Sequence, residues 1–135
     1  MFRTLSERVL VAGQIQPTDI AQASAAGVTM IVNNRPDGEE PGQPAGAAIE
    51  AAARAARLGY RSIPIAGGIG PDAIEAMVAV LNQAEGKVLV FCRSGTRSAY
   101  LWAMAEHRRG ADGEALIAQA AAAGYDLTPL RPYLG

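Results

Sequence analysis

The sequence predicts an α/β fold in three layers, a mainly parallel sheet of four to five strands flanked by helices, and three observations carry that prediction. A punctuation recurs along the chain: an alanine-rich segment with helical spacing, a glycine, then a short apolar run. It appears at Ala26-Gly27 before Val28 to Val32, at Leu58-Gly59 before Tyr60 to Ile65, and at Glu85-Gly86 before Val88 to Phe91. Glycine takes the left-handed conformation after a last helical turn at little cost, which marks these as helix exits. The apolar runs are continuous rather than alternating, as strands buried on both faces require. Helical and extended segments alternate, and that order builds a parallel sheet covered on both sides.

Taken in order, the first strand is expected near Val9 to Ala12, and Pro17 then opens a helix over 17–26. Proline suits the first helical position because the amide there has no partner in any case. A strand at Thr29 to Asn33 leads to a helix over 45–58 and a strand at Tyr60 to Ile65. Pro71 opens the helix over 71–85, with Ile74, Met77, Val78 and Leu81 on one face. The strand Lys87 to Phe91 follows, then helices over 96–109 and 113–123.

The chain has 135 residues, half of them apolar, and no composition break long enough for a linker, so residues 1–135 read as one domain. A formal net charge of -1 argues against a nucleic-acid partner, whose binding face carries a basic surplus. Arg3, Glu7 and Arg8 interrupt the apolar N-terminus, and no run approaches the ~20 apolar residues of a membrane span. A cytoplasmic protein with no membrane partner is expected. One cysteine allows no intramolecular disulfide and leaves a zinc site short of thiolates, and one histidine, His107, rules out a three-histidine centre. No metal and no cofactor are expected. His107 stands at a helix end, where cations favour the exposed carbonyls.

The chemistry concentrates in Phe91-Cys-Arg-Ser-Gly-Thr-Arg-Ser98. If Lys87 to Phe91 is a buried strand, Cys92 sits at its carboxyl end, the edge at which open α/β sheets bind ligands. Arg93, Ser94, Gly95 and Thr96 must turn at once into a helix. Inward-pointing amides of such a turn, with the positive end of the helix, hold an anion and favour a thiolate at Cys92. Arg97 can offer two parallel hydrogen bonds to a bound oxyanion. Ser98 is placed to hydrogen-bond the sulfur as it leaves. A lone cysteine is ordinarily a small buried hydrophobe; strand, cysteine, glycine turn, arginine and helix in one register favour chemistry instead.

Three stretches, Gly13 to Ile20 (GQIQPTDI), Ile31 to Pro44 (IVNNRPDGEEPGQP) and Val90 to Met104 (VFCRSGTRSAYLWAM), together with the ending AAAGYDLTPLRPYLG, resemble the phosphatase-like domain of the beta-lactamase hydrolase-like proteins. That family is similar in layout to the dual-specificity protein tyrosine phosphatases. The resemblance implies a protein tyrosine phosphatase-like fold and a hydrolase in which Cys92 is the nucleophile, Arg97 the phosphate clamp and Ser94, Gly95 and Thr96 the amide cradle, without metal.

Three departures bear on mechanism. Four residues, Arg93 to Thr96, separate cysteine from arginine, where those phosphatases have five. Rhodanese sulfurtransferases resemble this chain in having the shorter loop. Phe91 stands where the phosphatases usually have histidine. The segment IPIAGG places Ala66, Gly67 and Gly68 where the general acid aspartate is expected, although protonating the leaving alkoxide contributes ~10²- to 10⁴-fold in rate. Asp37 is the first candidate for that role; its competing role is that of a turn residue in Pro-Asp-Gly. Asp72 is better explained by the dipole of its own helix. Arg35 is expected either to orient Asp37, Glu39 or an incoming anion or to be merely solvated, and the glycines from Gly67 to Gly70 to wall the pocket.

Three functions follow: a cysteine phosphatase acting on a small-molecule or protein phosphate ester, a sulfurtransferase or persulfide carrier taking a sulfane sulfur donor, and a non-catalytic anion sensor. The substrate-binding set expected for any of them is Arg93, Ser94, Gly95, Thr96, Ser98 and Arg35, around Cys92 and Arg97.

Overall fold

The computed structural model describes residues 1–135. Five strands, β1 (Arg3–Thr4), β2 (Val9–Ala12), β3 (Val28–Asn33), β4 (Gly59–Ser62) and β5 (Lys87–Phe91), form one sheet in the order β1-β2-β5-β3-β4. All neighbours are parallel except β1 and β2. The helices are α1 (Ile20–Ala25), α2 (Gly46–Ala55), α3 (Pro71–Gln83), α4 (Thr96–Arg108) and α5 (Gly113–Ala122), with 3₁₀ turns at Pro17–Asp19 and Thr128–Tyr133.

The last strand in sequence is central in space. β5 pairs with β2 from Val9↔Val88 to Ala12↔Phe91 and with β3 as far as Asn33↔Phe91. The carboxyl ends of the three strands are therefore level, and the loops after them, beginning at Gly13, Asn34 and Cys92, converge. Side chains alternate across a strand, and the burial pattern follows. Val9, Val11, Val88 and Val90 join the larger core with α3, α4 and α5, whereas Leu10, Ala12, Leu89 and Phe91 join the smaller core with α1 and α2. That division is the three-layer arrangement: helices, sheet, helices.

Three elements differ from expectation. β1 is absent from the predicted set because two polar residues carry no hydrophobic period; it forms when Leu5 and Ser6 turn the chain back, with both amides donating to Val9 O, and Arg3 pairs with Val11. β4 ends at Ser62, although Ile63 and Ile65 still donate to Asn33 O and Asn34 O at 2.9 Å each. Pro64 between them has no amide to give, so the edge frays into a loop. The first helix opens as a 3₁₀ turn at Pro17–Asp19, with Asp19 Oδ2 accepting from Gln16 N.

Of the three glycine exits, only Gly27 takes the left-handed conformation, with φ of 92°. After α2 it is Arg57 that does so. Gly59 and Gly86 answer a different demand, close approach: a Cβ on either would collide with the side chain of Met30 or Thr29 on β3.

Ile31, wholly buried between β3 and the α1–α2 layer, tests the smaller core. Ile31→Ala should cost about 2–5 kcal/mol in urea unfolding with an unchanged slope, the usual result of emptying a packed aliphatic site.

Candidate functional site

Cys92 follows β5 directly and is wholly buried. Its Sγ accepts a hydrogen bond of 3.1 Å from the amide of Gly95, so the loop curls around the sulfur as the sequence requires. Gly95 makes the curl possible. It holds φ of 96°, where L side chains are strained, and caps α4, with Ala99 N donating to its carbonyl. The sulfur thus lies at the amino end of α4, where the dipole and the first unpartnered amides favour negative charge.

Neighbouring loops fix this turn from two sides. Gln14 N donates to Arg93 O at 3.1 Å, and Gly13 packs so tightly that a Cβ there would press on Arg93 O. Asn34 N donates to Phe91 O, and its Nδ2 donates to Ile63 O at 2.9 Å. That bond turns Asn34 Oδ1 toward α4, where it accepts from Ser98 Oγ at 2.7 Å. Ser98 is therefore committed to Asn34, and its expected contact with the sulfur is replaced by a role in docking α4 onto the loop after β3.

Arg97 stands in the first turn of α4. Its Nη1 and Nη2 grip the two carboxylate oxygens of Glu39 at 2.7 and 2.9 Å, and Nη1 also donates to Ile65 O at 2.8 Å. The pair with Glu39 above all, and beyond that the charge and hydrogen bonding of Cys92, hold the Arg97 pKa above its ordinary value despite burial. Glu39 is shifted the other way, down to about 2, chiefly by Arg97 and then by Arg35. Arg35 is 4% exposed. It donates to Glu39, Glu40 and Gln14 through Nε, Nη2 and Nη1 at 2.8, 2.6 and 3.1 Å. Burial opposes its charge, but the two carboxylates outweigh it and its pKa rises. Glu40 extends the network to Arg93, with Arg93 Nε 3.1 Å from its Oε1. Two carboxylates of the Asn34–Pro44 loop thus tie down three arginines.

Arg93, Ser94, Gly95 and Thr96 all belong to the turn, though their side chains differ in use. The Arg93 guanidinium is exposed on Glu40, Ser94 Oγ donates to Thr96 Oγ1, and Ser94 O accepts from the Tyr125 hydroxyl at 3.0 Å. Asp37 does not join this group. Gly38, with φ of 76°, ends a turn that directs Asp37 toward α2, where Oδ1 accepts from Gly46 N at 2.8 Å. An unpartnered amide at a helix start draws a carboxylate in this way. Asp37 lines a polar cavity of about 390 Å³ with Tyr60, Ser62 and Glu50, and Glu39 is the carboxylate in contact with Arg97. Asp72 lies in the first turn of α3 and His107 in the last turn of α4, where Nδ1 meets Ala111 O.

A second cavity, of about 480 Å³, opens at Arg97 and is mostly apolar, with Ile65, Ile69, Tyr100, Met104 and Leu130 among its walls. Gly67 and Gly68 line it too, in keeping with the expectation that the glycine run walls the pocket. Asn34 and Tyr125 were not singled out by residue type, and Glu39 only as a partner for Arg35, which it is at 2.8 Å; its pairing with Arg97 comes from an element remote in sequence.

The low pKa of Glu39 sets the sign of its pH dependence. A carboxyl held at about 2 in the fold and at 4.5 ordinarily gives stability fully present above pH 4.5 and lost as pH falls toward 2. The difference in thermal midpoint between wild type and Glu39→Gln should therefore be constant above pH 4.5 and shrink below it; a difference that persists unchanged to pH 2 would contradict the pairing.

The phosphatase-like domain of the beta-lactamase hydrolase-like proteins matches residues 1–109. A beta-lactamase hydrolase-like protein of Xylella fastidiosa is 41% identical over 103 residues, covering 76% of this chain and 24% of that protein, so the chain spans about a quarter of that relative's length. A candidate phosphatase of Neisseria meningitidis superposes with a TM-score of 0.84 at 32% identity, over 98% of this chain and 94% of the other. PTPMT1, 14% identical, superposes with a TM-score of 0.74 over 99% and 92% of the two chains, which shows the protein tyrosine phosphatase-like fold alone. With the cysteine loop at the head of α4 and the matched residues spanning every strand of the sheet, the chain belongs to the family of the beta-lactamase hydrolase-like phosphatase-like domain.

Proposed function

We propose that this phosphatase-type domain hydrolyses phosphate monoesters through a thiolate at Cys92. The observation that carries the reading is the Gly95 amide donating to Cys92 Sγ at the amino end of α4, with Arg97 one turn away. The sulfur attacks phosphorus, the ester P–O bond breaks, and the ester oxygen departs with the bonding electron pair as an alkoxide or aryloxide that solvent water protonates. Water then cleaves the S–P bond, releasing inorganic phosphate and restoring the thiolate. The amides of Ser94 and Thr96 and the Arg97 guanidinium stabilise the charge that builds on the phosphoryl oxygens, while the Gly95 amide, expected in that cradle, stays on the sulfur.

Two features of the resting site shape this chemistry. Cys92 is buried and Arg97 is held by Glu39, so a phosphoryl group entering the cradle takes over the guanidinium face that the carboxylate occupies. A dianion competes better than a carboxylate for that fork. The carboxylate on Arg97 is ionised at neutral pH and has no proton to donate to a leaving group, and Asp37 is engaged at α2. The reading therefore favours esters whose alcohols leave readily, aryl phosphates before alkyl ones.

Cys92→Ser should reduce aryl phosphate turnover to background while inorganic phosphate still binds, measured by calorimetry; turnover equal to wild type would end the reading. Arg97→Lys, which keeps charge but not the fork, should lower kcat/KM by roughly 10²-fold. Asp37→Asn separates capping from acid catalysis. A change well below the ~10²-fold minimum for a proton donor supports the capping role, and a loss of that size or greater returns Asp37 to the reaction.

A further inference from the structure

Tyr125 lies beyond residues 1–109, the part matched by the family, yet it touches the cysteine loop. Its hydroxyl donates to Ser94 O at 3.0 Å. Ser94 C=O and Gly95 N–H belong to one planar trans peptide, so they point in opposite directions. The Gly95 N–H of that plane is the donor to Cys92 Sγ at 3.1 Å. A hydrogen bond on the outer face therefore fixes the direction of the bond on the inner face. Reversing this plane would aim a carbonyl oxygen at the sulfur, and glycine at one end of a peptide makes such a reversal sterically easy.

The tyrosine is itself held. Its amide donates to Ala120 O at 2.8 Å, and its ring packs against the larger core. The Arg3 guanidinium lies 5.8 Å from the ring centroid, and Nη1 of the same residue donates to Ala123 O at 3.0 Å. Gly124, at φ of 95°, gives way to Arg3, since a Cβ there would overlap its Nη1. Likewise a Cβ on Gly95 would overlap the Tyr125 hydroxyl, so the phenol approaches the turn as closely as glycine permits. Burial pushes the Tyr125 hydroxyl up from its ordinary value, and nearby Arg3 only partly offsets that; the hydroxyl stays protonated and remains a donor.

We infer that Tyr125 is a positioning residue for the cysteine loop: its hydroxyl, by holding the Ser94 carbonyl outward, keeps the Gly95 N–H on the Cys92 sulfur. The inference rests on the proposed thiolate chemistry for its catalytic meaning, but the peptide orientation can be tested without turnover. The charged and titratable groups around the sulfur are Arg97 and Tyr125, with Glu39 acting through Arg97.

The test compares wild type with Tyr125→Phe, which keeps the ring and removes only the donor. Three readouts are taken: the Gly95 amide resonance, the rate of Cys92 alkylation by iodoacetamide across pH, and the thermal midpoint. Loss of the Gly95 hydrogen bond to the sulfur should slow alkylation at neutral pH by about 10-fold. The Gly95 amide proton should move upfield. Arg3→Met, which leaves the hydroxyl but frees the ring, should move both readouts the same way by a smaller amount. A lowered thermal midpoint with the Gly95 resonance and the alkylation profile unchanged would make Tyr125 merely structural and overturn the inference. If wild type hydrolyses no phosphate ester while Tyr125→Phe still shifts both readouts, the positioning role stands and the phosphatase reading fails on its own.

Discussion

The hydrogen bond from the Gly95 amide to the Cys92 sulfur is the interaction on which the site depends. It exists because a buried parallel strand delivers its last residue to a level edge, and because a glycine there lets the chain reverse into a helix within four residues. The surrounding contacts serve that turn. Asn34 ties the loop after β3 to Ser98, Gln14 ties the loop after β2 to Arg93, and Arg97 reaches across to the carbonyl of Ile65. Each bond crosses between elements far apart in sequence, so the geometry of the sulfur belongs to the whole sheet.

Electrostatics adds a second layer. Three arginines, Arg35, Arg93 and Arg97, surround the loop, and two glutamates from one segment compensate them. Arg35 is buried and would be costly if unpaired; with Glu39 and Glu40 bound it braces the Asn34–Pro44 loop against Gln14 in the loop after β2. Three guanidiniums against two carboxylates leave the resting site with one positive charge in excess, and the guanidinium face of Arg97 is already occupied by Glu39. The six-residue loop, a length that by itself also suits sulfane transfer, is carried here on a phosphatase-type chain.

Much of this was legible in the sequence. Continuous apolar runs such as Lys87 to Phe91 fixed the parallel strands, Pro71 set the start of α3, and Cys92-Arg93-Ser94-Gly95-Thr96-Arg97 declared the loop. What escaped was either too short or too remote. Arg3–Thr4 has no period to read, and β4 loses its edge at Pro64. Asp37 has the right residue type in the right segment, yet the turn at Gly38 directs it to the start of α2. Glu39, two residues on, meets Arg97 instead. Such a difference depends on a backbone turn and on which helix offers an unpartnered amide, neither of which is written in a local pattern. Ser98 misled for a similar reason: its hydroxyl found a nearer acceptor in Asn34.

Arg3, in the two-residue strand β1, braces the segment that follows α5 through Ala123 and the Tyr125 ring. Arg3 and the segment after α5 therefore meet beside the cysteine loop. Trimming the protein to the recognisable stretch that finishes near the close of α4 would keep the residues of every sheet strand and Cys92 but would strip Leu116, Ile117, Ala120 and Leu127 from the larger core together with the Tyr125 contact. Under the positioning role inferred for Tyr125, a graft of this unit into a larger polypeptide should carry α5 and the segment through Tyr125 along with the cysteine loop.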